Sequence, residues 1–554
     1  MTSSRGVRFT YRGHAEEAAG DEPLLAALFH RGFPILTRSN RYRRPRGPFC
    51  GIGQCTGCPV RINGRPGVRA CRAIPSAGDV VESERGWPSP RWDLLGGIDF
   101  VFPGGMDALR GLRRPAFLTS AYQWGVRRLL GGGRVPEPAG LASVADPIRV
   151  TSTDVAVVGG GASGRTMAAA LVRVGLRPTL FDRTLAPVEL AGCEVRTRTS
   201  VTFLPPRGPA ESAPFTLLGY SEPAAGFALR TRTVVVATGS FDAGLLFGGN
   251  DRPGVLTAEA ALAFPGPSER PTFRRAVVVG GGARAHRVLA ELGDRVAAVV
   301  APGGIRPEVV RRAADLEIPL YPRSLLLAAV GRSRVRRIEL RTRGLGLRFA
   351  LACDAVVLAH RRLPNSQLLF QAGARMAWNE GAGAYYPVVD PNGSTSVPGL
   401  FAVGSVAGSD GPIAEEVGDR IAVALREGRA PSDRASPAPT APAGEIVGYY
   451  RELLAEARTG RWFACPCEDV LLDEIEEAAR NGYRGIEVIK RYTGLGTGLC
   501  QGRYCVADAL LVLSMLEGRA PSEVGFITQR PPVFPTPLGA LAGLPDDREA
   551  EAGT

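Results

Sequence analysis

The sequence has 554 residues, of which 45% are apolar, so it is long enough to fold into several packed domains. Its formal net charge of +13 comes from basic residues spread along the chain, without a polybasic block, which favours genome composition over a nucleic-acid-binding face. No apolar run approaches the roughly 18 residues that span a bilayer, and the N-terminal stretch does not have the pattern of a signal peptide. We therefore expect a cytoplasmic protein whose 10 cysteines are metal ligands or redox groups before they are disulfides.

Composition shifts divide the chain into segments. The clearest boundary is the Pro-, Ala- and Ser-rich stretch APSDRASPAPTAPAG, which predicts an extended linker between two folded regions. The predicted segments are a cysteine-bearing domain at 1–88, a connector at 89–150, a core at 151–430, the linker at 431–445, a second cysteine-bearing domain at 446–545 and a tail at 546–554.

The first cysteine-bearing domain opens with VRFTY, which predicts a strand, and PLLAALFHRG, which predicts a helix. Four cysteines follow with the spacing C-x4-C-x2-C-x12-C: Cys50, Cys55, Cys58 and Cys71. Thiolates at this spacing are typical ligands of a 2Fe-2S cluster, and the glycines at 51, 53 and 57 allow the loop to wrap closely around it. Structural zinc is the alternative, although its cysteines usually come as two C-x2-C pairs. The pattern favours a β-grasp, ferredoxin-like domain.

The core begins with DVAVVGGGASGRTMAAALVRVGLRPTLFDR, a strand, glycine-rich turn, helix and second strand. Gly159, Gly161 and Gly164 form a G-x-G-x-x-G turn that lets a pyrophosphate approach the helix N-terminus, and Asp182 ends the second strand, where it can accept hydrogen bonds from a ribose. The prediction is a Rossmann-like fold that binds FAD or another adenine nucleotide. The alternative is the same fold with an empty pocket.

Two later segments resemble parts of two-dinucleotide-binding flavoproteins such as the pyridine-nucleotide disulfide reductases. The strand at 234–236 ends in Ala237, Thr238 and Gly239, and PGLFAVGSVAGSDGPIAEE is similar to the late segment that contacts the flavin. Gly404 in that segment is followed by Ser405, where those enzymes usually carry an aspartate that holds the ribityl chain.

A second glycine-rich turn, RRAVVVGGGARAHRVLAEL, contains Gly280 and Gly282, with Ala285 at the third glycine position. The strand that follows ends in AAVVAPGG, without a carboxylate at its tip, which disfavours tight NAD(P) binding.

The remaining cysteines and histidines of the core carry no assigned chemistry. Cys193 and Cys353 are solitary and are interpreted as small apolar residues, so disulfide reductase chemistry is disfavoured. His286 and His360 are interpreted as ordinary polar positions.

The second cysteine-bearing domain has Cys465 and Cys467 in ACPCEDV, and Cys500 and Cys505 in GTGLCQGRYC. Three amphipathic or apolar stretches, VLLDEIEEAARNG, GIEVIKRYT and CVADALLVLSMLEG, predict helices whose loops present the four thiolates. The motifs resemble the bacterioferritin-associated-ferredoxin-like domain at the end of opine oxidoreductase A subunits, which implies a second 2Fe-2S cluster. Zinc again remains the alternative.

The order of these domains resembles the α (A) subunits of heteromeric sarcosine oxidase, opine oxidoreductase, dye-linked L-proline dehydrogenase and hydrogen cyanide synthase. The resemblance covers nearly the whole chain and includes FGGNDRPGV at 247–255, LPNSQLL at 363–369 and RPPVFPTPLG at 530–539. It implies a multidomain α/β fold: a ferredoxin-like domain, a two-dinucleotide-binding core and a small helical cluster domain.

The resemblance also implies a partner β subunit of the amine or amino-acid oxidase type with its own FAD, an FMN between the subunits, and a separate electron acceptor. This chain would be the electron-transferring subunit of an oxidoreductase acting on CH–NH donors, inactive toward substrate without its partner; its catalytic residues are not identified. Two alternatives remain: a self-contained NAD(P)H-dependent reductase and a non-catalytic assembly subunit with structural zinc.

Overall fold

The computed structural model describes residues 6–97, 148, 150–183, 189–203, 215–221, 225–264, 272–408, 415–427, 445–458 and 460–536. The chain forms two compact units. Unit 1 comprises Met1–Val135, Asp242–Arg361 and Gly444–Gly525, and unit 2 comprises Pro136–Phe241, Arg362–Ala443 and Phe526–Thr554. Most of the predicted connector at 89–150, nearly all of the linker at 431–445 and the tail at 546–554 lie outside the described residues.

The N-terminal part of unit 1 is a small mixed sheet with one helix. Its elements are β1 (Val7–Tyr11), β2 (His14–Ala18), α1 (Leu24–His30), β3 (Thr37–Arg38), β4 (Pro45–Arg46), β5 (Pro59–Ile62), β6 (Arg65–Arg69) and β7 (Val80–Ser83). The strand order is β2-β1-β7-β5-β6, with β1 and β7 parallel and the other neighbours antiparallel. Helix α1 buries its leucines against this sheet, and the strand and the helix predicted from sequence are both present.

Unit 2 begins with the first glycine-rich fold. Its elements are β8 (Val150–Ser152), β9 (Val155–Val158), α2 (Ala162–Arg173), β10 (Pro178–Phe181), β11 (Glu194–Arg196), β12 (Thr199–Phe203), β13 (Phe215–Ser221), β14 (Ala225–Thr231) and β15 (Val234–Val236). Strands β11, β10, β9 and β15 form a parallel sheet that is completed by a later strand at Leu400–Ala402. Because both faces of a parallel sheet are covered, its central strands are continuous runs of buried valines.

The chain then supplies the second glycine-rich fold to unit 1. The next elements are β16 (Ser240–Asp242), β17 (Val255–Thr257), α3 (Ala258–Ala263), β18 (Ala276–Val279), α4 (Ala283–Leu292), β19 (Val296–Val300), α5 (Pro307–Asp315), β20 (Leu320–Tyr321), β21 (Ser324–Val330), β22 (Arg337–Thr342), β23 (Arg348–Ala352) and β24 (Ala355–Leu358). The order β17-β24-β18-β19-β20 is parallel throughout, while β21, β22 and β23 form an antiparallel sheet.

The chain returns to unit 2 after Arg361. The elements there are β25 (Arg362–Pro364), α6 (Gln367–Gln371), β26 (Met376–Asn379), β27 (Ala384–Pro387), β28 (Leu400–Ala402), a 3-10 turn at Gly404–Ala407 and α7 (Glu415–Arg426). Strand β28 is the last strand of the first parallel sheet, paired with β15.

The last part of unit 1 is mainly helical. Its elements are α8 (Glu445–Leu454), β29 (Phe463–Cys465), β30 (Val470–Leu471), α9 (Leu472–Arg480), α10 (Ile486–Thr493), α11 (Val506–Glu517) and α12 (Pro521–Val524). The three helices predicted from sequence are α9, α10 and α11, whereas the short β29–β30 hairpin around the first cysteine pair was not predicted. Helix α11 is buried from Val506 through most of its length because its sequence is apolar on nearly every face.

Candidate cofactor sites

The four N-terminal cysteines come together in unit 1. Three of them lie on the loop between β4 and β5, and Cys71 follows β6; each is at most 4% exposed. The thiol of Cys50 is within hydrogen-bonding reach of the thiols of Cys55 and Cys71, and the thiol of Cys71 is also within reach of Cys58. The spacing in the sequence therefore produces one buried group of four sulfur atoms.

Backbone N–H groups of the same loop point at these sulfurs. Gly53 donates to Cys71 Sγ at 3.1 Å, Gln54 donates to Cys50 Sγ at 3.4 Å, and Gly57 donates to Cys55 Sγ at 3.4 Å. Gly53 has a φ of 75°, a backbone conformation that favours glycine. Glycine is also required at position 57, because a Cβ there would collide with the carbonyl oxygen of Gly47. Such N–H donors stabilise negative charge on cluster sulfurs and tune cluster potential.

Cys50, Cys55 and Cys71 do not hold their protons equally. Burial raises the pKa of Cys50, but hydrogen bonds from Cys55, Cys71 and two backbone groups outweigh burial and hold the pKa well below its ordinary value. The pKa of Cys55 is raised, first by its hydrogen bond to Cys50 and then by burial. A site that already favours one thiolate is suited to metal binding, which requires deprotonated sulfur.

The C-terminal cysteines form a second group in unit 1. Cys465 ends β29 and is in contact with Cys505, the N-cap residue of α11; Cys467 is in contact with Cys500. The pKa of Cys505 is raised well above its ordinary value, first by its hydrogen bond to Cys465 and then by burial. Three of these cysteines are buried and Cys467 is partly exposed.

The second group is organised as two pairs of neighbouring thiols, whereas the contacts of the first group run from Cys55 through Cys50 and Cys71 to Cys58. Within the ranges that the structure describes, no three His, Cys, Asp or Glu side chains converge closely enough to hold a single metal ion. A 2Fe-2S cluster needs two thiolates on each of two iron atoms, whereas tetrahedral zinc needs four around one centre.

The two cysteine groups lie directly beside one another. Thr56, between two cysteines of the first group, is within hydrogen-bonding reach of Cys467 through both its hydroxyl and its backbone N–H. Cys55 and Cys467 are close enough for a charge on one to raise the pKa of the other, and the Tyr504 hydroxyl reaches Gln54 Oε1 at 3.5 Å. A small cleft between the loops is lined by residues of both, among them Cys55, Thr56 and Cys467. Sequence reasoning did not predict this contact, because it joins positions more than 400 residues apart.

The first glycine-rich turn lies in unit 2, at the carboxyl ends of β9, β10 and β15. Gly159 has a φ of 115° and Gly161 is the N-cap of α2, while a Cβ on Gly164 would collide with the carbonyl oxygen of Gly159. Asp182 follows β10 and accepts a hydrogen bond from the backbone N–H of Gly160 at 2.5 Å. The carboxylate is therefore held over the turn, where a nucleotide ribose binds in this fold.

The other predicted nucleotide contacts of unit 2 gather beside this turn. Ala237 and Thr238 follow β15 and pack against Gly159. Gly239, with a φ of 71°, faces Ser405 Oγ. Gly404 begins the 3-10 turn that follows β28.

A residue that sequence reasoning did not single out, Asn365, joins the same edge of unit 2. Its backbone N–H donates to the Gly239 carbonyl at 3.0 Å, and its own carbonyl accepts a hydrogen bond from the Thr238 hydroxyl at 2.8 Å. Asn365 lies in LPNSQLL, and that motif was the signal that could have identified it.

The second glycine-rich turn, in unit 1, has similar backbone geometry but a different surrounding. Gly280 has a φ of 149°, Gly282 is the N-cap of α4 and Ala285 is fully buried. The chain after β19 folds over the turn: the Arg306 N–H donates to the Gly281 carbonyl at 2.8 Å, and a Cβ on Gly281 would collide with the Gly304 carbonyl. The backbone around Gly304 therefore lies where a side chain that accepts hydrogen bonds from a ribose would be needed.

The solitary residues of the core behave differently from one another. Burial raises the pKa of Cys353 to about 12, so its thiol is unreactive, while Cys193 is only half-buried. Burial and then Arg361 hold the pKa of His360 well below its ordinary value, and its two buried ring nitrogens make no hydrogen bond within the part of the chain that the structure describes.

Comparison with family models matches three regions. A 2Fe-2S iron-sulfur cluster binding domain matches residues 4–86, a pyridine nucleotide-disulphide oxidoreductase domain matches residues 210–428, and a sarcosine oxidase A3 domain matches residues 459–544. No helix among the described residues is long and apolar enough to cross a membrane.

Curated relatives cover the chain unevenly. The alpha subunit of sarcosine oxidase from Rhizobium meliloti strain 1021 is 26% identical over 608 residues, which cover 97% of this chain and 58% of that protein. The A subunit of opine oxidase from Agrobacterium tumefaciens strain Ach5 is 25% identical over 401 residues, covering 65% of this chain and 79% of the relative. The HcnA subunit of hydrogen cyanide synthase from Pseudomonas aeruginosa is 40% identical over 72 residues, covering 13% of this chain and 68% of the relative.

Among solved structures, L-proline dehydrogenase from P. horikoshii superposes with a TM-score of 0.64 at 20% identity, covering 97% of this chain and 98% of that chain. Together with the domain matches, this similarity confirms the predicted multidomain α/β fold, with a ferredoxin-like N-terminal domain, a Rossmann-like flavoprotein core and a helical C-terminal region.

Proposed function

The chain belongs to the family of sarcosine oxidase and opine oxidase α (A) subunits with a fused 2Fe-2S domain, and from this premise we propose that it is the electron-transferring iron–sulfur flavoprotein subunit of a heteromeric amine or amino-acid dehydrogenase or oxidase. The observation that carries the proposal is the contact between Thr56 and Cys467, which places two groups of four cysteines side by side. Neighbouring redox sites within one unit are what an electron-transfer subunit requires.

The proposed ligands are all eight grouped cysteines, four for each 2Fe-2S cluster. FAD, or another adenine nucleotide, is proposed to occupy the first glycine-rich fold, and FMN is proposed at a subunit interface. When bound, the clusters accept and return one electron at a time, and the flavin accepts two. The chain itself buries the cysteine sulfurs, supplies their N–H donors and presents Asp182 to the ribose.

The proposed partner is an FAD-containing β subunit of the amine or amino-acid oxidase type. There a sarcosine-, proline-, hydroxyproline- or opine-type donor would lose two electrons and two protons as its CH–NH group becomes C=N. This chain would be inactive toward that substrate alone, because its described residues offer no evident acid–base pair beside a substrate pocket. Its reliance on free thiols supports a reducing compartment such as the cytoplasm.

The test is co-purification with the products of neighbouring genes, followed by iron, labile sulfide, zinc and flavin analysis. We expect two two-iron clusters per chain and visible absorption from both clusters and flavin. Cys58→Ser and Cys500→Ser should each remove one cluster and leave the other. Cys353→Ser is the matched control, because it removes a buried cysteine outside both groups and should leave the iron content unchanged. Zinc without iron in the wild-type protein would overturn the proposal.

A self-contained NAD(P)H-dependent reductase is the second candidate. Such a reductase would have to bind its nicotinamide nucleotide at the second glycine-rich fold. Two features of that fold count against this candidate: position 301 is an alanine and not a carboxylate, and the backbone of Gly304 lies over Gly281. Anaerobic mixing separates the two: NADH or NADPH should leave the visible spectrum unchanged, while the partner subunit with its amine substrate should bleach it.

A further inference from the structure

A buried network of charges in unit 1 connects the two cysteine-bearing domains to the second glycine-rich fold. At its centre the Arg46 guanidinium contacts two carboxylates: Nη1 lies 3.0 Å from Asp251 Oδ2, and Nη2 lies 2.5 Å from Asp469 Oδ1. The side chain of Arg46 is 6% exposed, and each carboxylate is 1% exposed. We call Arg46, Asp251 and Asp469 the arginine bridge.

Other groups fix both carboxylates of the arginine bridge from a second side. Arg44 makes a two-pronged contact with Asp251, at 2.5 and 3.0 Å, and the backbone N–H of Arg41 donates to Asp469 Oδ2 at 2.9 Å. Asp469 itself adopts a φ of 56°, which a non-glycine residue rarely adopts unless its surroundings hold it there. Arg41 and Arg44 belong to the same N-terminal segment as Arg46, so each carboxylate is held to that segment by two groups.

The three residues of the arginine bridge come from three separate segments of the chain. Arg46 lies four residues before Cys50, at the start of the first cysteine loop, and Asp469 lies two residues after Cys467, in the second. Asp251 belongs to FGGNDRPGV in the second fold, the motif for which sequence reasoning found no role. One guanidinium thus joins both cysteine loops and the domain on which they rest.

A buried ion pair is weak evidence for stability, because desolvation offsets much of the attraction, but it can fix a unique arrangement of the groups it joins. Arginine suits this role since its planar fork can contact two carboxylates in fixed directions, whereas lysine offers a single point charge. The Phe463 ring beneath the Arg44 and Arg46 guanidiniums, at 5.2 and 5.6 Å, further restricts them.

We propose that Arg46 is a positioning residue that sets the separation of the two cysteine loops, so that the arginine bridge, rather than either group of ligands, determines how strongly the two cluster sites are coupled. This inference rests on the proposed function, since it concerns clusters bound at both sites. It assigns a role to Asp251 and Asp469 as the two fixed anchors of the same guanidinium.

The test is electron paramagnetic resonance of the fully reduced, anaerobically purified complex. In the wild-type protein, two reduced clusters held at short range should split or broaden each other's signals. Arg46→Met should retain both clusters by iron and sulfide analysis but weaken that splitting, because the guanidinium that ties both cysteine loops to Asp251 is lost while the Thr56 and Arg41 contacts with the second loop remain. Arg46→Lys should restore it only in part, since one ammonium cannot satisfy both carboxylates in their present positions.

Arg43→Met is the matched control. Arg43 forms an equally buried two-pronged ion pair, with Asp93 at 2.9 Å for both contacts, only three residues from Arg46. Asp93 lies just after the N-terminal domain, in the first residues of the predicted connector, so this pair does not reach the second cysteine loop. Arg43→Met should lower stability to a similar degree and leave the splitting unchanged.

The outcomes separate the inference from the proposed function. If Arg46→Met keeps both clusters and an unchanged splitting, or if Arg43→Met removes the splitting equally, the inference is wrong while the proposed function stands. If the wild-type complex contains no iron, the proposed function itself fails. Should Arg46→Met not accumulate as folded protein, Asp469→Asn is the second variant: it loses the charge and one of the two oxygens that accept from Arg46 and Arg41, so the splitting should weaken, and an unweakened splitting would overturn the inference.

Discussion

The two glycine-rich turns share a strand–turn–helix frame and differ in what covers them. In unit 2 the turn at Gly159 is faced by a carboxylate, Asp182, which contacts it through a single hydrogen bond from Gly160. In unit 1 the turn at Gly280 is faced by the chain's own backbone at Gly304. The glycine pattern therefore specifies the turn, while the residues after the second strand determine what faces it.

The largest effect is expected when the residues at the third glycine position of the two turns, Gly164 and Ala285, are exchanged. Gly164→Ala places a Cβ against the Gly159 carbonyl, so the turn must distort, and we expect loss of the bound flavin and about 1–3 kcal/mol lower unfolding free energy. Ala285→Gly, the reciprocal change, should leave flavin content unchanged and cost about 1 kcal/mol through helix propensity. Flavin analysis and chemical denaturation measure both effects. A normal flavin content in Gly164→Ala would contradict this account of the difference between the two turns.

The next effect concerns the carboxylate. Asp182→Ala removes a charged acceptor for the ribose, and we expect FAD to bind roughly 10- to 100-fold more weakly. Calorimetric titration of the flavin-stripped protein measures the change. Asp354→Ala is a control, because that carboxylate accepts backbone hydrogen bonds from Arg274 and Arg275 outside the first fold and should not alter flavin affinity.

A smaller effect is expected at Ser405. Ser405→Asp introduces the side chain that the two-dinucleotide flavoproteins usually carry after this glycine, and we expect FAD to bind roughly threefold to tenfold more tightly through one added hydrogen bond. Ser405→Ala tests the opposite direction in the same titration. If neither substitution changes affinity, the ligand does not extend past Gly404 as a flavin would.

The smallest expected effect is at the second turn, where adding a carboxylate should change nothing. Ala301→Asp restores an acidic tip to β19, but the backbone of Gly304 still lies over Gly281. We expect no binding of NADH by either the wild-type protein or this variant, measured by fluorescence titration. Micromolar NADH binding by the wild-type protein would instead show that the turn is open, and would revive the reductase alternative.

Local pattern was sufficient for much of the molecule. The apolar stretch CVADALLVLSMLEG predicted a helix and VRFTY predicted a strand, and both are present. The cysteine spacing predicted which thiols share a loop, and the structure brings each predicted group together. The roles of these cysteines as cluster ligands stay a prediction, as do the domain boundaries.

Other features could not be predicted, because they depend on contacts between distant parts of the chain. Nothing near Thr56 indicates that its hydroxyl faces Cys467, and nothing near Asp251 indicates that it lies beside Arg46. Asp251 and Asn365 do lie in motifs that the family resemblance marks. These two motifs were the available signals in the sequence, although neither contains residues of evident chemistry. Their roles became clear only from the structure, through the ion pair of Asp251 with Arg46 and the hydrogen bonds of Asn365 with Thr238 and Gly239.

Unit 1 is built from three separate segments of the chain, which are translated at different times. Its three segments are separated in the chain, so Thr56 leaves the ribosome more than 400 residues before the loop that it contacts. During that interval the N-terminal domain exposes a surface that the finished protein covers. Under the proposed function, iron and sulfide can therefore reach the first group of cysteines before the second group has been translated, and this period of access closes when the chain is complete.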